Sequence, residues 1–180
     1  MLDQGVEILL KKNFLIITFV VVGLFLLTPM LSTASATPTN YKANATGVGV
    51  FVHDHDGIPH THYFVFSISS NSKTSPQGQF SLVCTHDGQI DTIILSTKIN
   101  SLSVEPVQGG LKAVFTGSAL VKMGDANWEK GWTFVVTAYD LGGKGSDLIG
   151  ITLSTPAGQV QCSADSTPLT SGNIAIKASV

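Results

Sequence analysis

Gly131-Trp132-Thr133-Phe134-Val135-Val136-Thr137-Ala138-Tyr139 decides the fold. Trp132, Phe134 and Val136 fall on one side of an extended chain, and Thr133, Val135 and Thr137 on the other. A period of two with β-branched and aromatic residues is the pattern of a half-buried strand. Gly131–Tyr139 is therefore expected to be a strand with a core face and a solvent face.

The same texture recurs on both sides of it. Strands are expected at Gly47–His55, His60–Ser69, Gln79–His86, Ile90–Asn100, Leu111–Lys122, Asp147–Ser154, Gln159–Ser163 and Asn173–Ala178. Between them stand turn signals: Asp56-Gly57, Asp87-Gly88, Gly109-Gly110, Gly142-Gly143, Pro156-Ala157-Gly158 and Ser171-Gly172. No stretch after Gly47 carries a helical period. About nine short strands at this spacing, without a linker, predict one all-β domain over 47–180, an antiparallel β-sandwich or flattened barrel. Thr37 to Thr46 reads as a flexible arm.

The segment before the arm is of another kind. Lys11 and Lys12 precede an unbroken apolar run from Phe14 to Leu27, and Ala34-Ser35-Ala36 follows. That order of charged, apolar and small residues is a secretory signal peptide over 1–36, cut after Ala36. The alternative is an uncleaved membrane anchor, for which the run is at the short end. Either way the remainder lies outside the cytoplasm: secreted, periplasmic or at the cell surface. Membrane contact would be confined to this segment.

Composition excludes several roles. Charged residues make up only 12% of the 180, the formal net charge is −2, and every basic residue is lysine. Bidentate grips on phosphate fall to arginine, and nucleic-acid binders need a basic footprint, so no nucleic-acid partner is expected. No G-x-S-x-G elbow, phosphate loop or dinucleotide fingerprint occurs. Beyond Ala36 the only glutamates are Glu105 and Glu129, in separate segments, a weak basis for a carboxylate pair. No catalytic machinery is evident. Trp128 and Trp132 flank a turn, Trp132 reading as core.

Cys84 and Cys162 are the only cysteines. An even count in an oxidising compartment predicts a disulfide between them, worth about 4 kcal/mol for so long a loop. Asn44-Ala45-Thr46 is an N-glycosylation sequon, with Asn44 the acceptor in a host that uses it.

Ala113-Val114-Phe115-Thr116-Gly117-Ser118-Ala119, the Gly131–Asp140 stretch, Gly142–Gly145 with Ser146-Asp147-Leu148-Ile149-Gly150-Ile151, and the ending Gly172-Asn173-Ile174-Ala175-Ile176-Lys177 belong together. Between Gly78 and Lys177 the chain resembles the post-COAP family of secreted bacterial and archaeal β-domains. The resemblance implies a secreted β-module with no established activity and no catalytic residues to transfer. It fails in the first hairpin, where the family has a glycine-rich turn and this chain has histidines.

That hairpin, His53-Asp54-His55-Asp56-Gly57-Ile58-Pro59-His60-Thr61-His62, holds four of the five histidines. Closing it over Asp56 to Pro59 pairs His55 with His60 and His53 with His62, all on one face. If Ser70–Gly78 is a loop, Phe66 pairs with Leu82 and Phe64 with Cys84, bringing His62 opposite His86. The face then continues as Phe51, Phe64, Phe66 and Leu82, which reads as core. His53, His55, His60, His62 and His86 are thus candidate ligands at the mouth of the fold, for zinc or copper. Asp56 could join them or orient them. A solvated tip without an ion is the alternative. Cupin and cupredoxin patterns both fail, for want of a glutamate with a second histidine and of a cysteine–histidine–methionine set around Cys162.

Asp140-Leu141-Gly142-Gly143-Lys144-Gly145-Ser146-Asp147 places two carboxylates about a glycine-rich loop. Asp140 and Asp147 could hold calcium, but capping of turn amides is the favoured role. Two functions remain open. One is a secreted or cell-surface β-module of structural or interaction type, with an unknown surface or protein partner. The other is an extracytoplasmic zinc or copper protein using the histidine hairpin.

Overall fold

The computed structural model describes residues 42–179 apart from 56, 72 and 144, so the expected signal segment and most of the arm lie outside the described residues. Nine strands run in chain order: β1 (Lys42–His55), β2 (Ile58–Asn71), β3 (Thr74–His86), β4 (Gln89–Val107), β5 (Gly110–Met123), β6 (Glu129–Asp140), β7 (Leu148–Ser154), β8 (Val160–Pro168) and β9 (Ser171–Ser179). They form one antiparallel sheet in the order β8-β7-β6-β5-β4-β3-β2-β1-β9, curled into a half-barrel. The all-β reading holds. The layers are not two sheets, as a sandwich would have, but two walls of one curved sheet facing each other.

Alternation dictates the inside. Trp132, Phe134, Val136 and Ala138 of β6 are buried, while Thr133 and Val135 are exposed. Phe51, Phe64, Phe66, Phe80, Phe115 and Phe134 meet in the centre, with Phe80 and Phe134 ring centroids 5.0 Å apart and Phe66 and Phe115 5.1 Å. Small residues give the rings room: a Cβ on Gly47 would lie 2.5 Å from Phe66.

Several boundaries move from expectation. β1 begins at Lys42, with Ala43 and Ala45 buried between β2 and β9, so residues 42–46 are strand and not arm. Asn44 is exposed on the outer side of that strand. β4 continues past Asn100 to Val107, through register shifts at Ser96/Lys98 and Ile99/Ser101. Such irregularities bend a strand and raise its twist, which lets one long strand follow the curl.

The two edges of the sheet, β8 and β9, are joined through Leu169-Thr170. There Leu169 N donates to Asp147 O and Thr170 N to Val50 O. The free edge of β9 is met by carboxylates: Ile174 N donates to Asp147 Oδ2 at 2.8 Å and Ile176 N to Asp140 Oδ2 at 3.0 Å. Asp147 Oδ1 also accepts from Leu141 N at 3.2 Å, and Asp140 Oδ1 from Gly142 N at 3.3 Å. An unpaired edge is a liability in a sheet. Here two side chains, Asp140 at the end of β6 and Asp147 in the loop before β7, take the place of a strand. Asp140 and Asp147 thus do more than cap their own turn, and these oxygens already face amide donors.

Candidate metal centre at the rim

The histidine hairpin is tighter than the four-residue connection expected. His55 pairs with Ile58, His53 with His60 and Phe51 with His62, around Gly57 at φ 81°. The next hairpin turns tightly as well. Ser70–Gly78 is not a loop: β2 reaches Asn71, whose Oδ1 accepts from Lys73 N and Thr74 N, and β3 starts at Thr74. Phe66 therefore pairs with Phe80, Phe64 with Leu82 and His62 with Cys84, not with His86. Both corrections are shifts of two residues. An even shift keeps every side chain on its face, so the histidines still share the inner face.

The registers stack rows across the sheet. A lower row reads Gly49, Phe64, Leu82, Ile94 and Val121 over β1 to β5. Above it lies Phe51, His62, Cys84, Thr92 and Met123. At the rim His53 pairs with His60, and the His60 ring stacks on His86 at 5.1 Å. The opposite wall brings Ile151 and Leu153 of β7 and Gln161 and Cys162 of β8. Together these walls enclose a cavity of about 200 Å³.

Of the five nominated histidines, His53, His55, His60 and His62 line this cavity. His86 does not. It lies behind His60, with Nε2 3.5 Å from Asp87 Oδ2. The structure adds Cys84, Cys162, Asp91 and Met123. The expected Cys84–Cys162 disulfide is absent, and both residues are thiols. Cys84 Sγ instead lies 3.3 Å from His60 Nδ1. Ligand atoms of His60, Cys84 and Asp91 all lie within 4.8 Å of one another.

Alternation along Phe80, Leu82, Cys84 and His86 already put Cys84 on the histidine face. The disulfide assignment hid it as a ligand. Cys162, Asp91 and Met123 reach the site only through long-range register, which no local pattern carries.

The electrostatics follow from burial. His62 is 3% exposed, its ring stacks on Phe51 at 4.6 Å, and neither ring nitrogen has a hydrogen-bond partner among the described residues. Burial, then the neighbouring His53 and His60, lower its pKa to about 4, with Asp91 opposing. The imidazole is therefore neutral near pH 7, the form that ligates. Burial pushes the Cys84 thiol up to about 12, with Asp91 and then Cys162 adding to the effect. Burial and Asp91 also raise Cys162. These thiols are not poised nucleophiles, which need a lowered pKa.

Comparison with protein-family models, curated proteins and solved structures finds no match to this chain. No helix among the described residues is long and apolar enough to cross a membrane.

Proposed function

We propose that the domain binds a transition-metal ion, zinc or copper, in the rim cavity, and that it works outside the cytoplasm. His62 carries the reading. An imidazole with both nitrogens buried and unpaired costs about 1–3 kcal/mol per group left unsatisfied. Such a group in a native fold calls for an explanation, an ion being one. Here it lines a cavity with three more imidazoles, two thiols and a carboxylate, donors suited to zinc and copper. The extracytoplasmic setting is supported by Lys11-Lys12, the apolar run and Ala34-Ser35-Ala36.

Elemental analysis of the protein as its own cell produces it tests the reading. One zinc or copper per chain is expected, and none in a His53→Ala/His62→Ala variant. Affinity should fall as the pH drops toward 4 and the His62 imidazole takes up a proton. Metal-free protein that binds neither ion above micromolar affinity contradicts it.

A second reading is a secreted β-module of structural or interaction type, related to the post-COAP domains its strands and turns resemble. Val48, Val52, Tyr63 and Val65, exposed side by side on the outer face of β1 and β2, favour it. The elemental analysis separates the two.

A further inference from the structure

We infer that the ion this cavity selects is monovalent copper, held by sulfur from Cys84, Cys162 and Met123 with the His62 imidazole. The inference rests on the metal-binding reading above and names the ion. Among the described residues Cys84, Cys162 and Met123 are all the sulfur there is, and all of them line the one cavity of about 200 Å³. They come from three separate strands, β3, β8 and β5. No sequence-local motif gathers them; the curl of the sheet does.

Donor softness then decides the ion. Thiolate and thioether ligands select monovalent copper, zinc and iron–sulfur centres, whereas carboxylate and carbonyl oxygen suit magnesium, calcium and manganese. The one carboxylate among the described lining residues, Asp91, is exposed, while Cys84 and His62 are buried. Thioether sulfur further divides copper from zinc, whose protein ligands are thiolate, imidazole and carboxylate.

Of this set Cys84 already lies within 4.8 Å of ligand atoms on His60 and Asp91, and Cys162, Met123 and His62 close on the ion from around it. Cys84 and Met123 stand in one row, each paired with Thr92 of the strand between them. Two strand spacings separate their Cα atoms by about 10 Å, a gap that the long methionine side chain narrows from one side. Cys162 faces them from the opposite wall. His62 sits beside Cys84 in that row, its nitrogens without a partner among the described residues. Leu82, Ile94, Ile151 and Leu153 complete the lining, an apolar surround that favours an ion of low charge.

The test is a competition titration on the purified full chain, with thiols reduced and oxygen excluded. Monovalent copper is delivered from its complex with bathocuproine disulfonate, whose colour reports transfer, and zinc is titrated separately against a chelating dye. One copper per chain is expected, retained against a hundred-fold excess of zinc, with sulfur scatterers in its X-ray absorption spectrum. Met123→Leu, a volume-conserving change that keeps the fold, should weaken copper about tenfold and leave zinc affinity unmoved. Zinc displacing copper, a spectrum with nitrogen and oxygen scatterers alone, or unchanged copper affinity in Met123→Leu overturns this inference while leaving metal binding intact. Binding of neither ion overturns both.

Discussion

Two polar side chains are buried among the described residues, His62 at the rim and Asp147 at the seam between β9 and the β6–β7 loop. They are almost equally hidden, at 3% and 5% exposure, yet their surroundings are opposite. Both oxygens of Asp147 accept backbone amides, from Leu141 and Ile174. Neither nitrogen of His62 has a partner among the described residues. A satisfied buried group is part of the scaffold, since its desolvation is repaid by directed bonds. An unsatisfied one is held in place by the rest of the fold and calls for an explanation of its own.

The contrast can be broken first at the seam. Asp147→Ala strips Ile174 N and Leu141 N of their acceptor and should cost about 4 kcal/mol, two charge-assisted bonds' worth. Urea unfolding of the metal-free protein measures it. A loss under about 1 kcal/mol would mean the carboxylate is not what secures β9.

Acid sharpens the contrast from the other side. Unfolded, His62 takes up a proton below pH 6.5; folded, it does so only near pH 4. Unfolding therefore binds a proton between these values, so this contribution to stability is complete above pH 6.5 and is lost as pH falls toward 4. The amount is about 3 kcal/mol. His53 and His60 face the ring and add to the lowering, and Asp91 opposes it. Stability curves of metal-free wild type and His62→Phe should diverge over that range, the variant being flatter; parallel curves would refute it.

The smallest effect is the most diagnostic. His62→Phe at neutral pH keeps a ring to stack on Phe51 and removes two unsatisfied nitrogens, so the metal-free domain should be unchanged or firmer by about 1 kcal/mol. Thermal unfolding checks this. A marked loss would show that the imidazole serves the fold itself.

The difference between the two sites also explains what could be read in advance. Alternation at Trp132, Phe134 and Val136 marked the core face, and the same rule placed His53, His55, His60 and His62 together inside. It survived a wrong register in both hairpins because each error was two residues. Adjacency did not survive: His62 meets Cys84, and His86 is left outside the cavity. Cys84 and Cys162, read as a bridge, are thiols, because parity of count says nothing about where sulfur points. Asp140 and Asp147 were legible as turn residues, but their hold on Ile176 and Ile174 depends on the sheet curling until distant strands face each other. Period-two patterns carry faces; curvature and register carry neighbours.

The most direct test of the account is the nitrogen-15 spectrum of the His62 ring, recorded without metal and with one equivalent of zinc or monovalent copper, both diamagnetic. A neutral imidazole is expected at pH 7, one of whose nitrogens shifts on addition of the ion while the backbone amides of β6 and β9 stay in place. His62 signals that do not move at metal concentrations saturating the chain, or a chain that saturates with no metal at all, would contradict it.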